Sequence, residues 1–324
     1  MSVITRRAVL AGSALALPAL HGARAQAIRT ARIIIGFPPG GLTDGQARLL
    51  AQKLAGSYAQ NVVVENKPGA SGRLALEAVK AGEPDGSVMV FTPTDHVAIF
   101  PHLSPGTLRY DPFVDLKPVS MVSLFYMGLS TGPMTGAKTL AEFIAWGRNQ
   151  PSIPFGNPGA GTLPHFLGIQ FGKATGLNLT AVAYRGDGPA VQDCLGGQIP
   201  LTSNSMPSIT PFLSGAPLVP LVTTAPRRLL EAPGLPTMAE SGFPQLAYSG
   251  GATLLLPGRT PGHIVQALDQ AVGRIVNNAD NLTSLTRLGV VPSYMNSATV
   301  TKWLRDEHAK WGPIVESSGF RPTD

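Results

Sequence analysis

The stretch Ile33-Ile34-Ile35-Gly36-Phe37-Pro38-Pro39-Gly40-Gly41-Leu42-Thr43-Asp44 limits the fold more than any other part of this chain. Three consecutive β-branched apolar residues predict a strand buried on both faces, as in parallel sheets. Pro38-Pro39 stops the strand, and Gly40-Gly41 frees the backbone to turn. Thr43 with Gln46 three residues on has capping-box spacing, and Ala47, Leu50, Ala51 and Leu54 follow at helical spacing. A strand, a glycine turn and a helix start leave free amide N–H groups at the turn, and such groups attract anions.

The same rhythm returns along the chain. Val62-Val63-Val64 and Ser87 to Phe91 read as further strands, the first followed by the turn Asn66 to Gly72 and a helix from Leu74 to Ala81. The third strand ends in Thr92-Pro93-Thr94-Asp95-His96, on the same sheet edge as Gly40 to Asp44. Val119 to Ser130 reads as one long strand leaving this first lobe, and Thr139 to Glu142 as a second capping box. Ile153 to Thr162 repeats the opening logic of strand, glycine turn and helix start. Leu179 to Tyr184, Leu201 to Asn204 and Leu218 to Thr223 are further strands, and Tyr248 to Leu256 is a crossing back. From Pro261 the chain reads as mostly helical, through Ile264 to Ile275, Leu282 to Leu288 and Val300 to Val315. The expected architecture is α/β, with residues 26–124 plus 248–324 in one lobe and 125–247 in the other. A cleft between two lobes is a preferred ligand site, and hinge closure is a common response to ligand.

Residues 1–25 read as a secretory leader: Arg6-Arg7, an apolar run from Ala8 to Leu20, and Ala23-Arg24-Ala25 as the cleavage site, with cleavage after Ala25. Thr5-Arg6-Arg7 suits twin-arginine export, with the ordinary secretory route as the alternative. The run is too short and too interrupted to span a bilayer. The remaining roughly 300 residues fit two domains of ordinary size. The net charge of +6 is spread without Lys/Arg clusters, which argues against nucleic acid. The single cysteine, Cys194, allows no internal disulfide and reads as a core residue. The sequence has no G-x-S-x-G, H-E-x-x-H or P-loop motif, and the histidines lack metal-ligand spacing, so no metal, cofactor or enzymatic activity is expected.

Several segments occur in an order that resembles the Bug-type extracytoplasmic solute receptors of tripartite tricarboxylate transporters. They are Phe37-Pro38-Pro39-Gly40-Gly41-x-Thr43-Asp44, Val62 to Ala70, Pro84-Asp85-Gly86, Tyr110-Asp111-Pro112, Gly159-x-Gly161-Thr162-x-x-His165, Tyr184-Arg185-Gly186, Leu195 to Gln198, Leu235-Pro236-Thr237 and Glu240-Ser241-Gly242. The resemblance covers essentially the whole chain after the leader. It implies a type 2 periplasmic binding protein of Venus-flytrap form, monomeric and periplasmic, that binds a small carboxylate and works with integral membrane transporter subunits. It further implies ligand contacts from Phe37, Pro39, Gly40, Gly41, Thr43, Asp44, Thr92, Thr94 and Asp95 in one lobe. The other lobe would contribute Gly161, Thr162, His165, Tyr184, Arg185, Asp187 and Asn204. A sensor that reports to a membrane kinase fits the same residues, and an exported hydrolase or isomerase is the remote alternative.

The sequence departs from the family's pattern at Leu42, Leu163-Pro164, Asp95, Asp187 and Pro200-Leu201. Two carboxylates beside an anion site would repel a dianion: unit charges a few ångströms apart at an effective dielectric near 20 interact by roughly 4 kcal/mol. One reading is therefore a ligand with an ammonium or amide as well as a carboxylate. The other is that Asp95 and Asp187 turn outward or cap local backbone. Arg185 can fork onto a ligand carboxylate or pair with Asp187, and His165 can donate to a ligand or serve the fold.

Overall fold

The computed structural model describes residues 28–103, 105–106, 108–213 and 217–321. The leader expected at 1–25 lies outside the described residues. The chain runs β1 (Thr30–Ile35), α1 (Leu42–Leu54), β2 (Asn61–Asn66), α2 (Arg73–Lys80), β3 (Val88–Pro93), α3 (Asp95–Ala98), α4 (Phe100–Leu103), β4 (Leu116–Phe125) and β5 (Met127–Thr131). It continues with α5 (Leu140–Gly147), β6 (Ile153–Asn157), α6 (Leu163–Thr175), β7 (Leu179–Ala183), α7 (Asp187–Leu195), β8 (Leu201–Ser205), α8 (Met206–Ile209) and β9 (Val219–Thr223). The last elements are β10 (Gly250–Pro257), α9 (Gly262–Val276), α10 (Ala279–Arg287), β11 (Val291–Met295) and α11 (Ser297–Ser318).

Two mixed sheets result. The six-stranded sheet has the order β11-β4-β10-β3-β1-β2, and the five-stranded sheet β7-β6-β8-β5-β9. β1 runs parallel to β2 and β3, while β10 is antiparallel to β3 and β4. Ile33 and Ile35 are fully buried and Ile34 nearly so, as the opening run predicts for a strand covered on both faces. α1 and α9 cover one face of this sheet through Leu50, Leu54, Leu268 and Val272, and Leu76, Val79, Val300 and Leu304 of α2 and α11 pack in the cluster on the other. Trp311 and Cys194 are core residues, and burial pushes the Cys194 thiol up to about 12.

Three local expectations need correction. The apolar stretch 119–130 is two strands: it leaves the first sheet after Phe125, passes Tyr126, and enters the second sheet at Met127. The tail is mostly helical, as expected, but it also holds an unexpected strand: Val291–Met295 forms the edge strand β11 against β4. Pro292 hides this strand from a periodicity reading, yet an edge strand tolerates proline because one side needs no donor. Finally, Thr43 and Gln46 form no capping box. Gly41 is the N-cap of α1, and the Gln46 amide oxygen accepts from Ser123 instead. At the second capping box, Thr139 does accept from the Glu142 N–H.

Candidate functional site

The opening loop is held from below. A side chain at Gly36 would put its Cβ 2.4 Å from the Gly72 Cα, so two backbones touch here and only glycine fits. Gly40 has φ +86°, which directs the chain into α1. No side chain caps that helix, and Gly40, Gly41, Leu42 and Thr43 line a cleft. The first amides of α1, which have no partner within the helix, are therefore presented at the cleft wall. The Asp44 side chain turns back onto the loop and its own helix. Its carboxylate takes both Arg48 nitrogens at 2.8 and 2.9 Å, the Asn66 amide at 2.9 Å and the Gly40 N–H at 3.0 Å. Burial alone would raise this carboxyl, but these donors outweigh burial and hold it below the ordinary carboxylate value. Asp44 thus fixes the loop and is not among the residues that line the cleft.

The β3–α3 loop behaves similarly in part. The Thr92 hydroxyl bonds His96 Nδ1, and His96 Nε2 donates to the Ser71 carbonyl. Thr94 is tied to Gly251 through both its backbone N–H and its hydroxyl. Both threonines are buried and neither lines the cleft, whereas Asp95 does.

On the second wall, Thr162 is the N-cap of α6, but its hydroxyl donates to the Gly159 carbonyl and caps nothing. Gly161 sits at φ +83° against Leu103 of the other lobe and does not reach the cleft. His165 is also withdrawn. Its Nδ1 accepts from the Gly161 N–H at 3.0 Å, and its ring lies among Phe155, Phe166 and Phe320. Burial pushes this imidazole down to about 4, so it is neutral. Tyr184 turns onto Asp193 at 2.7 Å and packs beside Gly156. Asp187 turns neither outward nor to solvent: it accepts from the Asn204 amide at 2.9 Å, the Ser205 hydroxyl at 2.7 Å and the Ser205 N–H at 3.3 Å. Arg185 is not its partner.

The lobes meet around the cleft. Asp95 Oδ2 accepts from the Leu163 N–H at 3.2 Å, and Asp95 Oδ1 from the His96 N–H at 3.1 Å. Burial pushes the Asp95 carboxyl above its ordinary value, against the lowering pull of His96 and of these two amides. Gly159 lies close to Ser71, and Gly289 close to Pro207, so the walls also touch on either side. Ala70 and Ser71 beneath this contact both adopt left-handed backbone, at φ 47° and 53°. Non-glycine residues reach that region at a cost of roughly 1–2 kcal/mol each.

The cleft, open to solvent on one side, has a volume of about 630 Å³. Of the residues expected from sequence, Phe37, Pro39, Gly40, Gly41, Thr43, Asp95, Thr162, Arg185 and Asp187 line it. Asp44, Thr92, Thr94, Gly161, His165, Tyr184 and Asn204 lie behind that lining and position it. Phe125, Ser205, Ser208, Ala252, Arg287 and Leu288 are lining residues that sequence reasoning missed. Arg287 ends α10, where a basic residue ahead of Gly289 reads only as a complement to the helix dipole. Arg185 and Arg287 are exposed, and neither has a carboxylate among the described residues within ion-pair reach. Among the described residues no cluster of three or more His, Cys, Asp or Glu is placed to hold a metal ion, and no helix is long and apolar enough to cross a membrane.

Comparison with known proteins bears on this cleft. The family model described as tripartite tricarboxylate transporter family receptor matches residues 46–320. Protein BugT of Bordetella pertussis is 29% identical over 295 residues, covering 90% of each chain. A solved R. palustris protein with adipate is 28% identical, with a TM-score of 0.86 over 91% of this chain and 99% of that one. MatC from Rhodopseudomonas palustris with bound malate is 26% identical, with a TM-score of 0.81 over 89% and 99%.

Proposed function

The chain belongs to the tripartite tricarboxylate transporter receptor family, and from that premise we propose that it is a periplasmic receptor that takes a small carboxylate-bearing metabolite into the interlobe cleft and delivers it to a membrane permease of the tripartite tricarboxylate type. As a member it is a solute-binding receptor and not an enzyme. We also propose the division 26–124 plus 248–324 against 125–247; the passage between sheets at Tyr126 and back before Gly250 supports it, with Phe125 still paired in the first sheet.

One observation carries the reading. The cleft brings two exposed guanidiniums from opposite walls, Arg185 and Arg287, to the same cavity as the open first turn of α1. Guanidinium forks and helix-start amides both suit a carboxylate and need no metal. Relatives in the family were solved with adipate and with malate, which supports a small organic acid here. The leader read at 1–25 supports export.

Native mass spectrometry of the purified exported protein tests this, followed by a thermal-shift screen of small carboxylates. A retained small acid, or stabilisation by at least one carboxylate that is lost in Arg185→Gln/Arg287→Gln, is the expected result. Binding concentrates free energy on the closed, folded state, so ligand raises Tm. A folded protein that no carboxylate stabilises refutes the reading.

A further inference from the structure

We propose that Asp95 decides which end of a ligand this cleft accepts: its side chain takes the first amide of α6 from across the cleft, so the inner end of the bound molecule is a neutral or hydrogen-donating group and its carboxylate lies outward, toward Arg185 and Arg287. This rests on the carboxylate-receptor reading above and names the ligand class within it.

A helix leaves its first amides without partners inside itself; in the 13-residue α6, Leu163 supplies the first of these and Pro164, which has no N–H, supplies none. Its own N-cap residue, Thr162, leaves them uncapped because its hydroxyl is spent on Gly159. A ligand carboxylate would be the ordinary partner for such an end. Here the partner is already in place and comes from the opposite lobe: Asp95 Oδ2 sits 3.2 Å from the Leu163 nitrogen. Asp95 is only 4% exposed, yet it forms part of the cleft wall. It is an internal carboxylate standing where a ligand's would stand.

The strand ends beside Asp95 bring no donor side chain to the cavity for a second anion. Pro93, Phe125 and Ala252 line the same wall and are apolar. Ala252 pairs with Pro93, and Phe125 precedes the crossing at Tyr126, so this wall is the floor of the cleft. On the facing lobe the side chains of Thr162, Ser205 and Asn204 are committed, Thr162 to the Gly159 carbonyl and the other two to Asp187. The two exposed cations lie elsewhere, at positions open to solvent, Arg185 before α7 and Arg287 at the end of α10. Like charges in a partly dehydrated floor repel, while a carboxylate at the arginines is matched. An amide, a hydroxyl or an ammonium at the floor can donate to the Asp95 oxygens, which have lone pairs left beyond the two amides.

Calorimetric titration of the full exported protein with matched pairs tests the assignment. The probes are succinate against succinamate and adipate against its monoamide, with wild type, Asp95→Ser and Asp95→Asn. Wild type is expected to bind the half-amides at least tenfold tighter than the diacids. Both variants are expected to shift that ratio at least tenfold toward the diacids, Asp95→Asn doing so with side-chain volume preserved. Wild type that takes diacids as tightly as half-amides, or a ratio unchanged in both variants, overturns the proposal. Wild type that ignores both classes while Asp95→Ser takes diacids supports it, because the cleft then accepts carboxylates once Asp95 is gone. If no probe binds any of the three folded proteins, the carboxylate-receptor reading itself falls, and the inference with it.

Discussion

His165 gives the sharpest quantitative prediction, because its burial converts directly into acid lability. The imidazole is 1% exposed, and its Nδ1 accepts the Gly161 N–H. A proton on Nδ1 would face that N–H, and a cation in the first turn of α6 would oppose the helix dipole. Burial accordingly lowers its pKa from 6.5 to about 4. Above pH 6.5 the ring is neutral in folded and unfolded chains alike, and its contribution is flat. Between 6.5 and about 4 the unfolded chain takes up a proton that the folded chain refuses, so stability falls as pH drops. Below about 4 both states are protonated and the loss is complete. At about 1.4 kcal/mol per unit the whole loss is about 3 kcal/mol. His165→Asn keeps an acceptor for Gly161 and removes the titration. The variant is expected to be less stable than wild type near neutrality, since ring contacts with Phe155, Phe166 and Phe320 are lost. That deficit should shrink by about 2–3 kcal/mol as pH falls from about 7.5 to about 4.5. Urea unfolding followed by tryptophan fluorescence at each pH reads the difference, with the free energy extrapolated linearly. His308, also held below its ordinary value chiefly by burial, adds a loss of the same sign in both proteins and cancels. A deficit that stays constant to within about 0.5 kcal/mol over that range refutes the reasoning, since the folded ring would then titrate like the unfolded one.

Other consequences are open to test. Asp44→Ala takes the acceptor from the Gly40 N–H and leaves the Asn66 amide only the Phe37 carbonyl; it should cost about 1–3 kcal/mol of stability by denaturant unfolding, with weaker ligand binding because the opening loop is freed. Gly161→Ala would place a Cβ 2.3 Å from Leu103 across the lobes at a φ of +83°; a drop in ligand affinity larger than its Tm loss accounts for is expected, and unchanged affinity would show that this contact does not govern closure. Arg287→Gln removes a charged partner worth about 1.5–3 kcal/mol and should weaken carboxylate binding by roughly 10- to 100-fold at unchanged Tm. The same loss measured at high salt should be smaller, because the residue is exposed and its field is screened.

The two walls were legible in the sequence to different depths. Phe37 to Thr43 could be read because every step of the turn is local: a β-branched run, two prolines, two glycines, a helix period. The partner wall at Thr162 and Arg185 followed from the same pattern. What the pattern could not show is which polar side chains face the cavity. Asp44 looks like a ligand contact in sequence, but its donors include Asn66, twenty-two residues away on β2. Tyr184 and His165 sit in the right loops and turn inward, because a ring in reach of a core is drawn into it. Arg287 reaches the cleft only because α10 is folded back beside α1, where Leu288 packs on Gly45.

The sequence by itself determined most of the elements, the α/β class and the family, since strand runs, glycine turns and helix periods act over a few residues and persist wherever the chain goes. It also showed that Asp95 and Asp187 were out of place beside an anion site. Only the tertiary structure decided what they do. Asp187 is satisfied within its own lobe by Asn204 and Ser205, while Asp95 reaches sixty-eight residues along the chain to the first amide of α6. That second choice exists only when two lobes close on each other, because a hydrogen bond is satisfied at about 3 Å, a distance that separation along the chain does not predict.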